Sequence, residues 1–146
     1  MKADFWQLER DPADKVVALI AGRVLAEGER LLVVAGDAAL REAISAALWD
    51  AGEGSFLANG QAGGPHDARQ PVLIAKELAG APANGANHVI FADGVWRAAD
   101  GFARAFLLFG EATIEAARAC WRGLDGAEGL ERAFYRQDGG RWVKVA

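Results

Sequence analysis

Two guanidinium groups and an indole fall within five residues in Arg118-Ala119-Cys120-Trp121-Arg122. On a helix, Ile114, Arg118 and Arg122 lie on one i, i+4 ridge and Trp121 lies i+3 from Arg118. Planar forks beside an aromatic wall are suited to receive a carboxylate. The same spacing also fits a helix that buries Ile114, Ala117 and Trp121 and leaves both arginines as surface charges. Periodicity alone does not choose between these. A second aromatic group lies in Ala47-Leu48-Trp49-Asp50 and Gly54-Ser55-Phe56-Leu57. Leu48 continues the stripe of Leu40 and Ile44, which leaves Trp49 at its margin, about 100° further round and half exposed. The bland alternative is a core tryptophan covering the sheet edge.

Catalytic chemistry is thinly represented. Gly60-Gln61-Ala62-Gly63-Gly64-Pro65-His66 is glycine-rich but lacks the Gly-Lys-Ser/Thr ending with which a phosphate loop holds a nucleotide and its magnesium. Val34-Ala35-Gly36-Asp37 has one glycine where a dinucleotide turn uses three. His66 and His88 have no ligand spacing with Cys120, so no metal is expected. Neither Ser45 nor Ser55 stands in a Gly-x-Ser-x-Gly turn. A non-catalytic protein without cofactor is the expectation, with a nucleotide-binding α/β enzyme as one alternative.

The element that must organise these residues is Arg30-Leu31-Leu32-Val33-Val34-Ala35-Gly36-Asp37, whose apolar run, too short for a helix, stops at Gly36 and reads as a strand buried on both faces. Helical spacing precedes it over Pro12–Glu27, with Asp11 as N-cap, Pro12 in the first turn and Gly28 just past the end. Asp37 caps a second helix over 37–51. The remaining strands are expected at Ala3–Leu8, Pro71–Ala75, His88–Ala92 and Phe102–Phe109, the segments 52–70 and 76–86 read as loop, and a last helix spans Glu111–Leu124. Phe134–Gln137 and Arg141–Val145, joined by Asp138-Gly139-Gly140, have hairpin chemistry. The fold class is α/β, a three-layer α/β/α domain over 1–146 with a mostly parallel sheet of about five strands.

The 146 residues suit one domain, and 52% hydrophobic with 25% charged residues is ordinary for a soluble protein. No apolar run is long enough to cross a membrane, and Met1–Trp6 lacks an apolar signal segment. One cysteine allows no intrachain disulfide, so a cytoplasmic location is expected. The net charge of −4 argues against gripping nucleic acid with the whole surface. Residues 1–117 carry 10 Lys+Arg against 16 Asp+Glu, whereas 118–146 carry 6 against 4. A small basic patch on an acidic body suits an acidic peptide better than a duplex. Arg132, Arg136, Arg141 and Lys144 themselves read as a solvated face.

Taken in order, Phe5-Trp6-Gln7-Leu8, Ala47-Leu48-Trp49, Ser55-Phe56-Leu57, Pro71-Val72-Leu73-Ile74 and Ala116-Ala117-Arg118-Ala119-Cys120-Trp121-Arg122 resemble the signature of the chi subunit of bacterial DNA polymerase III holoenzyme. The resemblance implies a non-catalytic accessory subunit of the clamp loader, with an α/β/α fold, that meets DNA only indirectly. It binds the acidic tail of single-stranded DNA-binding protein, which ends in Ile-Pro-Phe. By this resemblance Trp49 is the pocket tryptophan, Arg118 the carboxylate receptor, Trp121 an aromatic wall, Arg122 a basic rim residue and Phe109 a looser wall candidate. Trp49 and Trp121 would form one apolar pocket below Arg118. The psi subunit would dock around Phe56.

The chain departs from the family pattern at Ala58-Asn59, where Pro-His is usual, and at Ile114, where a basic residue is usual. The tail 130–146 resembles a longer-tailed branch, whose basic residues stand in for the missing cation. A direct single-strand binder, using stacked aromatics and cations without any protein tail, is the second alternative.

Overall fold

In the computed structural model of the chain, residues 1–51 and 57–146 are described. The elements are β1 (Lys2–Gln7), α1 (Ala13–Ala26), β2 (Leu31–Val34), α2 (Ala38–Trp49), β3 (Asn59–Gln61), β4 (Val72–Ala75), β5 (His88–Phe91), β6 (Arg104–Phe109), α3 (Ile114–Gly123), β7 (Glu131–Asp138) and β8 (Arg141–Lys144). The sheet order is β3-β4-β2-β5-β6-β1-β7-β8, parallel throughout except for the β7–β8 hairpin. The sheet therefore has eight strands among the described residues rather than about five. Two of the extra strands come from resolving the tail into β7 and β8, and the third is β3, inside the stretch expected to be loop.

β2 behaves as its composition dictates, since Leu31 and Val33 point to one face, Leu32 and Val34 to the other, and all four are buried. α1 and α2 cover the first face, where Val17, Ile20, Ile44 and Leu48 pack on Leu31, Val33, Ile74 and Leu108. α3 lies on the opposite face, with Ala117 fully buried beside Phe5, Leu107 and Phe109. The segments after β4 and β5 complete that layer through Leu78, Trp96 and Phe102. Burial of two apolar faces is the main source of stability in such a sheet.

The helix signals divide. Asp37 caps α2 by accepting from the Ala39 N–H at 3.3 Å. Asp11 does not cap α1, which starts after Pro12 with no side-chain cap. Its carboxylate instead accepts from Gln137 of β7 at 2.7 Å, while Gln137 Oε1 accepts the N–H groups of Arg10 and Asp11. Gly28 follows α1 at φ +79, the left-handed conformation its type permits. The last helix begins as a 3₁₀ turn, Glu111–Thr113, before α3 proper.

Candidate functional site

α3 brings Arg118, Trp121 and Arg122 to one surface. Its amphipathic sequence seats Ala117 in the core, and the next turn carries Trp121 onto an aromatic series that holds the helix to the sheet. Trp96 stacks on Phe5 at 6.0 Å, Phe5 and Trp121 meet edge-to-face at 5.2 Å, Trp121 meets Phe134 at 5.7 Å, and Phe134 meets Phe109 at 5.4 Å. Edge-to-face contacts of this kind add to plain burial. Trp121 is thus a half-buried wall fixed from beneath. Phe109 is only 1% exposed, so it supports the wall through Phe134 and is not itself a contact surface, which corrects its expected role.

Arg118 and Arg122 are exposed, one turn apart. Arg118 donates to Glu115 Oε1 at 3.0 Å, and the side chains are 54% and 80% exposed. An exposed pair of this kind is worth about 0–1 kcal/mol, so Glu115 holds Arg118 only weakly. A third cation arrives from the tail. Arg132 of β7 lies 4.1 Å from the centre of the Trp121 ring, donates to the Trp121 carbonyl, and donates to Asp125 at 2.8 Å. It was expected to belong to a solvated face, and the signal that could have found it is alternation along β7, which puts Arg132 and Phe134 on the α3 side. Cys120 is half-buried and burial pushes its thiol up, which disfavours the thiolate.

Trp49 is not part of this surface. It is 50% exposed at the end of α2, on the face opposite α3. α2 packs against β3 and β4 whereas α3 packs against β1 and β6, with β2 and β5 between. The expected single pocket of Trp49 and Trp121 below Arg118 is therefore corrected, because a sheet and two strand widths separate them. Phe56, expected at a psi interface, lies outside the described residues.

Several polar groups where an enzyme of this fold would hold a ligand are engaged internally, although a cavity of about 480 Å³ lined by Arg41, Gly63, Asp67, Ala75 and Lys76 lies beside them. Gly63 and Gly64 direct their N–H groups to the Asp67 carboxylate at 2.8 and 3.0 Å. Connections diverge where β2 and β5 end, the usual ligand crevice of such sheets. There Asp93 accepts from Gly36 at 3.0 Å, from Val95 at 3.2 Å, and from both Nη atoms of Arg97 at 2.9 and 2.7 Å. Burial pushes the Asp93 carboxyl up, but the Arg97 hydrogen bonds and charge, with the Gly36 and Val95 N–H groups, hold it below its ordinary value. Arg41 closes the other side by donating to the carbonyls of Ala35 and Gly36 at 2.8 and 2.9 Å. His66 is exposed and His88 starts β5. No group of three metal-ligating side chains gathers among the described residues, and no described helix is long and apolar enough to cross a membrane.

The profile of the family described as DNA polymerase III chi subunit, HolC, matches residues 1–131. No curated protein sequence matches the chain. Among solved structures, the Sulfolobus solfataricus SWI2/SNF2 ATPase C-terminal domain is similar over 76% of this chain at 12% identity and a TM-score of 0.47. The chain spans 55% of that structure's length. A likeness at that level carries no functional argument.

Proposed function

The chain belongs to the DNA polymerase III chi-subunit family, and on that premise we propose that it is a non-catalytic accessory subunit of the clamp-loader complex that holds the acidic C-terminal tail of single-stranded DNA-binding protein on α3. The observation that supports the reading best is the pairing of Arg118 with a weak, exposed partner beside an aromatic wall that is anchored from below. In this reading Arg118 takes the terminal carboxylate with two parallel N–H donors. Trp121 and the half-buried Ile114 offer apolar contact to the terminal phenylalanine, and Arg122 and Arg132 attract the acidic residues that precede it. Arg132 supplies from the tail the cation that Ile114 lacks. The protein would act in the cytoplasm, meet DNA through its partner, and need neither cofactor nor metal.

The test is fluorescence anisotropy with a labelled acidic peptide ending in Ile-Pro-Phe, in free-acid and amidated forms. Binding that is lost with Arg118→Ala and with the amide supports the reading. Undiminished binding of the amidated peptide would sink it. ATP turnover by the purified protein, or a gel shift of a single strand at micromolar protein and physiological salt without partner, would favour the enzyme or the direct binder.

A further inference from the structure

The face opposite α3 carries a second cationic and aromatic cluster, half of whose lining comes from the strand pair that follows the matched family region. A groove of about 440 Å³ runs between α1 and the β7–β8 hairpin, lined by Trp6, Leu19, Arg23, Arg104, Tyr135, Gly140, Arg141 and Trp142. Its aromatic floor is ordered, with Trp142 4.6 Å and Tyr135 5.5 Å from Trp6 between ring centres. The sheet register explains the convergence, because Trp6 is level with Tyr135 on β7 and Gln137 is level with Trp142 on β8.

Three arginines line this groove and no acidic residue does. Arg23 and Arg141 are exposed, and their side chains make no hydrogen bond or ion pair with a described residue. Arg104 gives its Nε and one Nη2 hydrogen to the fully buried Asp4, which leaves three of its five donors unspent among the described residues. A buried donor, the Trp6 indole N–H, also lacks an acceptor among them. On a chain of net charge −4, such a concentration of unspent donors marks a place made for negative charge.

We propose that this groove binds an acidic peptide segment, with carboxylates on Arg23, Arg104 and Arg141 and one apolar side chain between Leu19 and Trp142. Leu19 is 41% exposed at the rim, an apolar contact a free anion has no use for. The volume lies within the range of about 300–1,000 Å³ typical of ligand pockets. A single nucleic-acid strand fits less well, because stacking needs an open ring face. Trp6 is only 4% exposed beneath its two aromatic neighbours. The site is separate from the α3 surface and does not use its residues.

The test uses the full chain and a labelled peptide, Asp-Glu-Asp-Phe-Asp-Glu-Asp, amidated so that a terminal-carboxylate site is not read. The expected result is binding that quenches tryptophan emission and weakens at least 10-fold in the doubly substituted Arg23→Glu, Arg141→Glu protein, with less than 2-fold change in Arg118→Ala. Arg23→Gln with Arg141→Gln should give an intermediate loss, and both proteins should melt like the parent. Equal binding by the charge-reversed protein overturns the proposal. So does loss of binding in Arg118→Ala, which would assign the peptide to α3, and so does tighter binding of an oligothymidylate 12-mer at the same salt.

Discussion

Arg132 and Trp121 are joined twice, ring to guanidinium and carbonyl to guanidinium, across the gap between β7 and the end of α3. The guanidinium lies over part of an indole that also meets Phe5 and Phe134 edge-to-face, and it ties the C-terminal strand pair to the proposed tail site.

Arg132→Ala should therefore destabilise the fold by about 2 kcal/mol, from the lost ring contact and a charged hydrogen bond to a backbone carbonyl. Arg132→Lys should recover little of it, because an ammonium cannot serve ring, carbonyl and Asp125 at once. Urea unfolding at neutral pH measures both, and an alanine variant as stable as the parent would remove this contact from the account.

On the proposed reading Arg118 and Arg122 differ in kind. Losing one partner of a desolvated charge pair costs about 2–5 kcal/mol, so Arg118→Ala should weaken tail binding at least about 30-fold. Arg122→Ala should cost less, and salt should erase most of its effect. Anisotropy titrations at low and high salt separate the two, and equal losses at both positions would contradict the assignment.

Asp93 makes stability depend on pH in a defined direction. Its carboxyl is held below the ordinary value in the fold, so its contribution is complete above the unfolded value of about 3.9 and is lost as pH falls through the folded one. Asp93→Asn should cost about 1.5–3 kcal/mol at pH 7. The gap between parent and variant in urea midpoint should narrow below about pH 5 and close in stronger acid. A gap that stays constant from pH 7 to pH 3 would be inconsistent with this network.

Two glycines separate backbone strain from crowding. Gly101 has φ +89 with open space around an added Cβ, so Gly101→Ala should lose about 1–2 kcal/mol. Gly94 has φ +78, and its Cβ would come within 2.5 Å of Thr113 Oγ1 and 2.7 Å of Thr113 Cβ. Gly94→Ala should be clearly the worse of the two, and Thr113→Gly should return part of the difference. Thermal melts of the four proteins decide it.

How much of this was legible depended on which residues carried the pattern. β2 and β4 were readable because burial on both faces demands unbroken apolar runs. β3 was not, since Asn59-Gly60-Gln61 contains nothing apolar and is held at the sheet edge by β4 on one side alone. The strand character of 134–137 was visible, but its place beside β1 was not, because parallel pairing leaves no local turn to signal it. That Arg118, Trp121 and Arg122 share one helix was legible in their spacing, whereas what that surface holds was not. The separation of Trp49 from them was not, since it depends on which face each crossover takes, and a helical stripe is the same on either side of a sheet.

The sheet order also sets a constraint on biosynthesis. β1 leaves the ribosome before the other strands of this sheet, yet it pairs with β6 and β7, and its buried Asp4 meets Arg104 at a separation of 100 residues. β2, β4 and β5 can assemble as soon as they emerge, whereas Phe5 and Trp6 must wait until β6 and β7 have been made. Long-range parallel pairing of this kind slows folding and leaves apolar strand surface uncovered in the meantime. Nascent chains that end before β6 are thus the form of this protein most in need of a chaperone.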